Sequence, residues 1–241
     1  MRGSMRERAD RKVVLFVGPT MATSPRARAL ASRFSVRRPV RRHDIARLAL
    51  SGDPPDVVVI VDGAFHGTLA VGHAEIRDAL ARGVRVWGLS SMGAIRAREM
   101  APLGMRGFGS VYERFSESDD FQDDEVALLH ERAAPYRPVT EPLLHLRAAI
   151  DHLVSCGLVG ADDARDVVSD LKSRWYGERT VRGTTLALSR RARGKDAASA
   201  VARELADFDR FRMKTLDLVR FLEERPWCAS RDHRLRDRAP I

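Results

Sequence analysis

Two adjacent serines, Ser90 and Ser91, follow a short apolar run and precede a helical pattern. A serine on a sharp turn between a strand and a helix can act as a nucleophile in acyl transfer, because backbone N–H groups beside it bind the developing oxyanion. Neither serine completes the Gly-x-Ser-x-Gly pattern of such a turn. Leu89 replaces the first glycine if Ser91 is the nucleophile, and Met92 replaces the last glycine if Ser90 is. Alternatively, either serine only caps the following helix.

Small or polar residues also follow two other apolar runs, Gly18 after the first and Asp62 after the second. The carboxyl ends of parallel strands lie together and form the ligand crevice of open α/β sheets. These turns and the turn at Ser91 therefore predict one convergent site. The competing interpretation is that short turns are rich in Gly, Ser and Asp for capping reasons alone. His73, at the start of a helical pattern, either points into this crevice or packs in the core beside Ile76.

Three apolar segments predict buried parallel strands: Val13–Val17, Asp56–Val61 and Val84–Gly88. The segments between and after them predict helices near Ala22–Arg33, Asp44–Leu50, Ala70–Arg82 and Met92–Met100. This alternation indicates right-handed βαβ units, and the middle strand is apolar throughout, as strands covered on both faces are. The predicted fold class is α/β, with a small Rossmann-like parallel sheet.

The pattern changes after Pro102. The Gly-rich residues 104–109 predict a loop, and the acidic start of Glu125–Arg132 predicts a short helix. Further helices are predicted over Glu141–Gly157, Ala161–Tyr176 and Ala197–Glu224. We therefore divide the chain into a disordered N-terminus (residues 1–12), an α/β core (13–140) and a helical C-terminal region (141–241).

The acidic stretch Glu117–Glu125 contains six carboxylates in nine positions. Together with His130 it could ligate a metal, but it lacks the glycine and the alternating spacing of a calcium loop. We interpret the run as solvated and predict no metal site. The sequence also lacks a Gly-x-Gly-x-x-Gly or Gly-x-x-x-x-Gly-Lys-[Ser/Thr] loop after its first strand, so we predict no cofactor.

The net charge of +9 would fit a polyanionic partner. However, the basic residues are nearly all arginine and are scattered without interleaved aromatic residues, so we do not predict nucleic-acid binding. A protein partner with an acidic face fits equally well. No apolar run reaches the ~20 residues of a membrane span, and the N-terminal apolar run is too short for a signal peptide. Two cysteines without a Cys-x-x-Cys motif fit a reducing compartment, and we predict a cytoplasmic protein.

Five motifs, in this order over residues 56–150, resemble the TfuA-like family. They are Asp62-Gly63-x-Phe65, His73-x-Glu75-Ile76, Gly88-x-Ser90-Ser91-Met92-Gly93-Ala94-Ile95-Arg96-Ala97-x-Glu99, Gly104-Met105-x-Gly107-x-Gly109 and Asp123-Asp124-Glu125-Val126-Ala127-x-x-His130. The third and fifth motifs are long enough to be specific. The family usually has lysine between the histidine and glutamate of the second motif. This chain has Ala74 there, so no role of that lysine carries over.

The resemblance implies a part in the modification of ribosomally made peptides. TfuA-like proteins work beside YcaO enzymes, which use ATP to activate a backbone amide, and together they replace the amide oxygen with sulfur to give a thioamide. The TfuA-like protein is thought to hydrolyse the thiocarboxylated C-terminus of a ThiS-like carrier protein, which supplies sulfide, and to bind the YcaO enzyme. The precursor peptide is reached through that enzyme. The alternative is a non-catalytic docking protein or activator of the YcaO enzyme.

This hypothesis makes the chain a hydrolase of a protein thiocarboxylate. Ser91 would attack the acyl carbon, His73 would take its proton and Asp62 would orient the imidazole. The N–H groups at the start of the following helix would form the oxyanion hole. The predicted substrate-binding residues are Gly18, Ser90, Met92, Gly93 and Arg96. Arg96 either steers the carboxyl group of the carrier or pairs with Glu99 at i,i+3.

Overall fold

The computed structural model describes residues 12–64, 68–117, 122–194 and 196–229. These residues contain one five-stranded sheet, formed by β1 (Val13–Phe16), β2 (Ser35–Arg37), β3 (Val57–Ile60), β4 (Arg85–Leu89) and β5 (Arg106–Phe108). All neighbouring strands are parallel, in the order β2-β1-β3-β4-β5. The predicted α/β, Rossmann-like sheet is therefore confirmed. The predicted disordered N-terminus lies, apart from Lys12, outside the described residues.

The α-helices of the described residues are α1 (Pro19–Ala22), α2 (Pro25–Ala31), α3 (Asp44–Ala49), α4 (His73–Ala81), α5 (Met92–Met100), α6 (Ser110–Glu117), α7 (Leu143–Ser155), α8 (Ala161–Ser173), α9 (Val181–Ser189), α10 (Ala197–Glu204), α11 (Met213–Glu224) and α12 (Pro226–Ala229). The single helix predicted over Ala22–Arg33 is interrupted, because Ser24 accepts a capping bond and Pro25 begins a new helix. None of the described helices is long and apolar enough to cross a bilayer.

Strands β1 and β3 are apolar and buried at every position, because helices cover both faces of the sheet. Successive residues of a strand point to opposite faces of the sheet. Val14 and Phe16 of β1 pack in a core that includes residues of α3, α4 and α5. Val13 and Leu15 pack in a second core that includes residues of α2 and α11. Helix α11, near the C-terminus, is thus an integral layer of the sheet domain, and the packing crosses the boundary that the sequence predicts at residue 140.

The two edge strands were not predicted. All three residues of β2 are exposed, so this strand gives no apolar signal. Strand β5 lies within the Gly-rich residues 104–109, for which the loop prediction is wrong. A Cβ on Gly107 would lie 2.2 Å from the ring of Tyr112, so this glycine lets α6 pack closely on the strand.

Helices α7 to α10 form a separate helical core. The single helix predicted over Ala197–Glu224 is wrong, since α10 ends at Glu204 and a 3-10 turn, Phe208–Phe211, precedes α11. The physical reason is that Phe208 and Phe211 pack into the helical core, whereas Leu218 and Phe221 pack on the sheet. The chain must turn between these two surfaces.

The short helix predicted over Glu125–Arg132 is also absent. Residues Asp123–Glu125 form a 3-10 turn, and the next described pairing is a bridge between His130 and Pro138. The acidic residues favour only the first turn. Val126 and Ala127, which follow this turn, are buried outside any helix.

We expect Leu218→Ala to lower the free energy of unfolding by about 2–5 kcal/mol, because this fully buried side chain fills the core between α11 and the sheet. Leu216→Ala is the matched control: it makes the same substitution on the same helix at a residue that is 45% exposed. Its effect should stay within about 0.5 kcal/mol. Urea denaturation measures both. Equal losses for the two variants would contradict the placement of α11 in the sheet domain.

Candidate functional site

A cavity of about 550 Å³ opens at the carboxyl edge of the sheet. The order in which strands are added reverses at β1, since β2 lies on one side of it and β3, β4 and β5 lie on the other. Such a reversal opens a crevice outside the strand ends. Asp62, just past β3, and Ser91, just past β4, both line the cavity. The structure thus places these two predicted site residues in one cavity.

Two glycines let helix α5 begin directly against the sheet. A Cβ on Gly93 would lie 1.7 Å from the carbonyl oxygen of Ile60, and one on Gly88 would lie 2.0 Å from the carbonyl oxygen of Gly93. The N–H of Gly93 donates to the carbonyl oxygen of Val61 at 3.3 Å, so it is already used. The N–H of Met92, at the start of α5, has no acceptor among the described residues.

The two serines have different environments. Ser90 has a φ of +66°, in the left-handed region that a sharp turn requires, and its buried hydroxyl donates to the carbonyl oxygen of Lys214 at 2.8 Å. Ser91 occupies the N-cap position of α5, but its side chain accepts no capping bond. Ser91 lines the cavity, and its hydroxyl has no hydrogen-bond partner among the described residues. Ser91 is therefore the serine whose hydroxyl is free to react.

The Asp62 carboxylate caps the start of α1. Its Oδ2 accepts from the N–H of Gly18 at 2.8 Å and from the N–H of Thr20 at 3.0 Å, and its Oδ1 accepts from the Thr20 hydroxyl at 2.6 Å. Gly18 is predicted to bind substrate, but its N–H is already bonded to Asp62. These three bonds hold the end of β3 against the turn that follows β1.

His73 and Arg96 lie together outside the residues that line the cavity. The Nε2 atom of His73 is 2.9 Å from Oε2 of Glu99, and the guanidinium of Arg96 donates to the same oxygen at 2.5 Å. Glu99 is eight residues after Ser91 on α5, about 12 Å along the helix axis. The structure therefore does not bring His73 to Ser91, and a catalytic role for it stays a prediction. The His73 side chain is 55% exposed, so it is not packed in the core either.

Lys214, near the start of α11, lines the same cavity and is 1% exposed. Its Nζ donates to the carbonyl oxygen of Val126 at 3.1 Å. Burial lowers the pKa of Lys214 more than the nearby carboxylates of Asp62 and Glu141 raise it. Lys214 is not among the site residues predicted from the sequence. The available signal was a lysine on the apolar face of a helix, four positions before Leu218.

A buried network positions Lys214. The backbone N–H of Lys214 donates to Nε2 of His145 at 3.3 Å, and Nδ1 of His145 is 2.9 Å from a carboxylate oxygen of Glu141. Burial lowers the pKa of His145, which keeps the ring neutral, with Nδ1 as donor and Nε2 as acceptor. Burial alone would raise the pKa of Glu141, but the hydrogen bonds from His145 and Arg212 lower it.

Two carboxylates of the acidic stretch, Asp124 and Glu125, are bound to arginines. Arg179 donates to Asp124 at 2.7 Å, and Arg147 forms two bonds to Glu125, at 2.8 and 2.9 Å. The interpretation of this run as solvated is therefore wrong for these two carboxylates. Residues 118–121, and Phe65 of the first motif, lie outside the described residues.

One group of described residues, His152, Cys156 and Glu204, brings three potential metal-ligand atoms within 4.8 Å of one another. The group lies in the helical unit, away from the cavity. The guanidinium of Arg210 is 3.0 Å from Nε2 of His152 and donates to Glu204 at the same place. The positive charge of the Arg210 guanidinium at this position opposes the binding of a metal cation.

Comparison with known proteins agrees with the motifs. Residues 62–180 match the family model of the TfuA-like protein, and they include Asp62, Ser91 and Arg179 but not Lys214. No curated protein matches the chain. The chain belongs to the TfuA-like family.

Proposed function

We propose that this protein serves YcaO-dependent backbone thioamidation by hydrolysing the thiocarboxylated C-terminus of a ThiS-like sulfur carrier. The observation that carries the proposal is the Ser91 hydroxyl, which is unbonded among the described residues and faces a cavity at the start of a helix. An acyl carbon held there would have a nucleophile beside it. The free N–H of Met92 would meet the oxygen on which charge develops.

The charges around the cavity suit an anionic substrate. Arg41 and Arg132 line it, and the positive end of the α5 dipole faces it. A thiocarboxylate carries one negative charge, which discourages attack by a nucleophile. The two guanidinium groups offset that charge and favour entry of a chain end that terminates in an anion.

The reaction balances without a cofactor. The Ser91 oxygen forms a bond to the acyl carbon, the carbon–sulfur bond breaks, and the hydroxyl proton passes by way of a base to the sulfur, which leaves as hydrosulfide. Water then attacks the seryl ester, which yields the carboxylate of the carrier and the free serine. The hydrosulfide is the sulfur source for the amide that the YcaO enzyme activates on its precursor peptide.

We expect Ser91→Ala to reduce sulfide release from a thiocarboxylated carrier by several orders of magnitude, as the loss of a nucleophilic serine does in other hydrolases. The substitution removes no hydrogen bond seen among the described residues, so the melting temperature should stay within a few degrees. Single-turnover sulfide detection with purified protein measures the effect.

Ser90→Ala is the matched control for this experiment. It removes the bond to the Lys214 carbonyl, which we expect to cost about 0.5–1.5 kcal/mol of stability, while the Ser91 nucleophile remains. Release should therefore survive at a reduced rate. Abolition by Ser90→Ala alone would make Ser90 the nucleophile, and retention in both variants would refute a serine mechanism.

A docking role remains as a second candidate, and one observation favours it. His73, Arg96 and Glu99 belong to the family motifs, yet they form a cluster outside the cavity in which the side chains of His73 and Glu99 are 55% and 38% exposed. An exposed charged cluster of this kind fits a contact surface for the YcaO enzyme better than it fits chemistry.

We expect His73→Ala to weaken co-purification with the YcaO enzyme while sulfide release stays within a few-fold of the wild type, because the imidazole contacts Glu99 rather than Ser91. Arg77→Ala, an exposed residue of the same helix, is the control and should change neither property. If His73→Ala instead abolishes release in a folded protein, the proton of Ser91 passes through His73 and the docking role of this cluster fails.

A further inference from the structure

An arginine-rich segment crosses the carboxyl edge of the sheet directly after β2. Residues 37–42 contain four arginines, at positions 37, 38, 41 and 42. The backbone of this segment is fixed to the end of β3, because the N–H of Val40 donates to the carbonyl oxygen of Asp62 at 2.9 Å. Pro39 and Arg41 line the cavity that contains Ser91. The segment therefore forms one side of the cavity mouth.

A second segment, residues 130–138, forms another side of the mouth. Its two ends are joined by an antiparallel bridge, and the N–H of Glu131 donates to the carbonyl oxygen of Arg137 at 2.9 Å. Arg132 and Tyr136 of this segment line the cavity. The bridge thus holds two further arginines at the opening.

The two segments approach each other at Gly18, in the turn after β1. A Cβ on Gly18 would lie 2.5 Å from the ring of Pro39 and 3.2 Å from the ring of Tyr136, so both segments pack against this glycine. They therefore surround one opening. We call their exposed arginines the arginine rim, which consists of Arg37, Arg41, Arg42, Arg132 and Arg137.

The positive charge of the arginine rim is not neutralised by the described residues. None of its five guanidinium groups has a carboxylate oxygen within 4.0 Å among them. Arg38, between the rim residues, differs because it is paired with Asp44. The carboxylate of Asp62 in the cavity is buried and bonded to the start of α1, and Glu131 is the single carboxylate of residues 130–138. The cavity mouth is therefore strongly positive.

The size of the cavity determines which part of a protein substrate meets this rim. A volume of about 550 Å³ holds a small ligand or a chain end, but not a folded domain. A carrier protein whose C-terminus reaches Ser91 must keep its folded body outside the mouth. The surface beside its C-terminal tail then faces the arginine rim, where acidic side chains are attracted and basic ones are repelled.

We propose that the arginine rim docks an acidic face of the carrier protein, located beside its C-terminal tail. The identity of the partner rests on the proposed function. The rim steers the encounter and orients the carrier, and the chemistry takes place at Ser91 inside the cavity. Steering of this kind raises the association rate and weakens as salt screens the charges.

The first test measures association without any reaction, by stopped-flow mixing with a ThiS-like carrier that has its ordinary carboxylate terminus. The variant Arg37→Glu/Arg137→Glu reverses two rim charges and leaves the cavity residues unchanged. We expect it to associate at least about 10-fold more slowly than the wild type, with a weaker dependence on salt. Arg33→Glu/Arg82→Glu is the matched control. It changes the net charge equally at two exposed arginines that precede β2 and β4, at the opposite edge of the sheet, and should associate like the wild type.

The second test compares two substrates of different size, the thiocarboxylated carrier and a short peptide thioacid with the same C-terminal sequence. For the carrier, we expect Arg37→Glu/Arg137→Glu to lower kcat/KM for sulfide release at least about 10-fold while kcat is unchanged, because the loss lies in the encounter. For the peptide, kcat/KM should stay within a few-fold of the wild type. The peptide has no folded body to contact the outer arginines.

The outcomes separate docking from chemistry. Unchanged carrier association in the rim variant, or no association with the wild type, would overturn the inference. Equal losses for carrier and peptide would mean that the rim binds only the chain end, and displacement of the carrier by equimolar double-stranded DNA would make the rim a nucleic-acid site; either result also overturns it. Rim-dependent association without sulfide release would support the docking surface and refute only the proposed function.

Discussion

The site depends on the contact between the first turn of α11 and the carboxyl edge of the sheet. Three residues of α11 form this contact. Lys214 is bonded to Ser90 and Val126, and Thr215 is bonded to Thr20. Asp217 is bonded to the start of α6. Each partner lies at least 88 positions earlier in the chain. The same helix buries Leu218 and Phe221 against the sheet, so the hydrophobic packing that completes the domain also carries the amine to the cavity. The site therefore forms when α11 packs on the sheet.

Buried carboxylates at helix starts hold the sheet edge in shape. Asp62 accepts backbone bonds at the start of α1, Glu75 accepts from the N–H groups of His43, Ile45 and Ala46 at the start of α3, and Asp217 accepts from Ser110 and Val111 at the start of α6. Each supplies an acceptor for N–H groups that a helix cannot satisfy itself, and each opposes the positive end of the dipole. The position of Asp217 also explains why residue 109 is a glycine. Gly109 has a φ of +93°, and a Cβ on it would lie 2.4 Å from the carboxyl carbon of Asp217. Motif residues such as Glu75 and Gly109 thus have structural roles that their place in a motif does not reveal.

The sequence was informative where a local pattern determines structure. Strands β1 and β3 are continuous apolar runs, β4 is apolar after Arg85, and α5 begins at the residue predicted. The exposed strand β2 and the glycine-containing strand β5 carry no such pattern, because pairing with their neighbours stabilises them. The break before α11 arises because successive segments pack on different cores. Parallel-strand geometry was enough to place Asp62 and Ser91 at one cavity, but the positions of His73 and Lys214 depend on loop paths and on an inserted helical unit. Spacing along the chain contains no information on either.

The inserted helical unit is connected to the cavity by a short path of hydrogen bonds. Arg212 donates to Glu141, which is paired with His145, and His145 accepts from the N–H of Lys214. Glu141 and His145 stand at the start of α7, the first helix of the inserted unit, and Arg212 immediately follows its last 3-10 turn. Both ends of the insertion therefore meet at the ion pair between Glu141 and Arg212, and removing Arg212 would leave the buried carboxylate of Glu141 without its guanidinium partner. The position of Lys214 is thus determined jointly by the sheet, through Ser90, and by the helical unit, through His145.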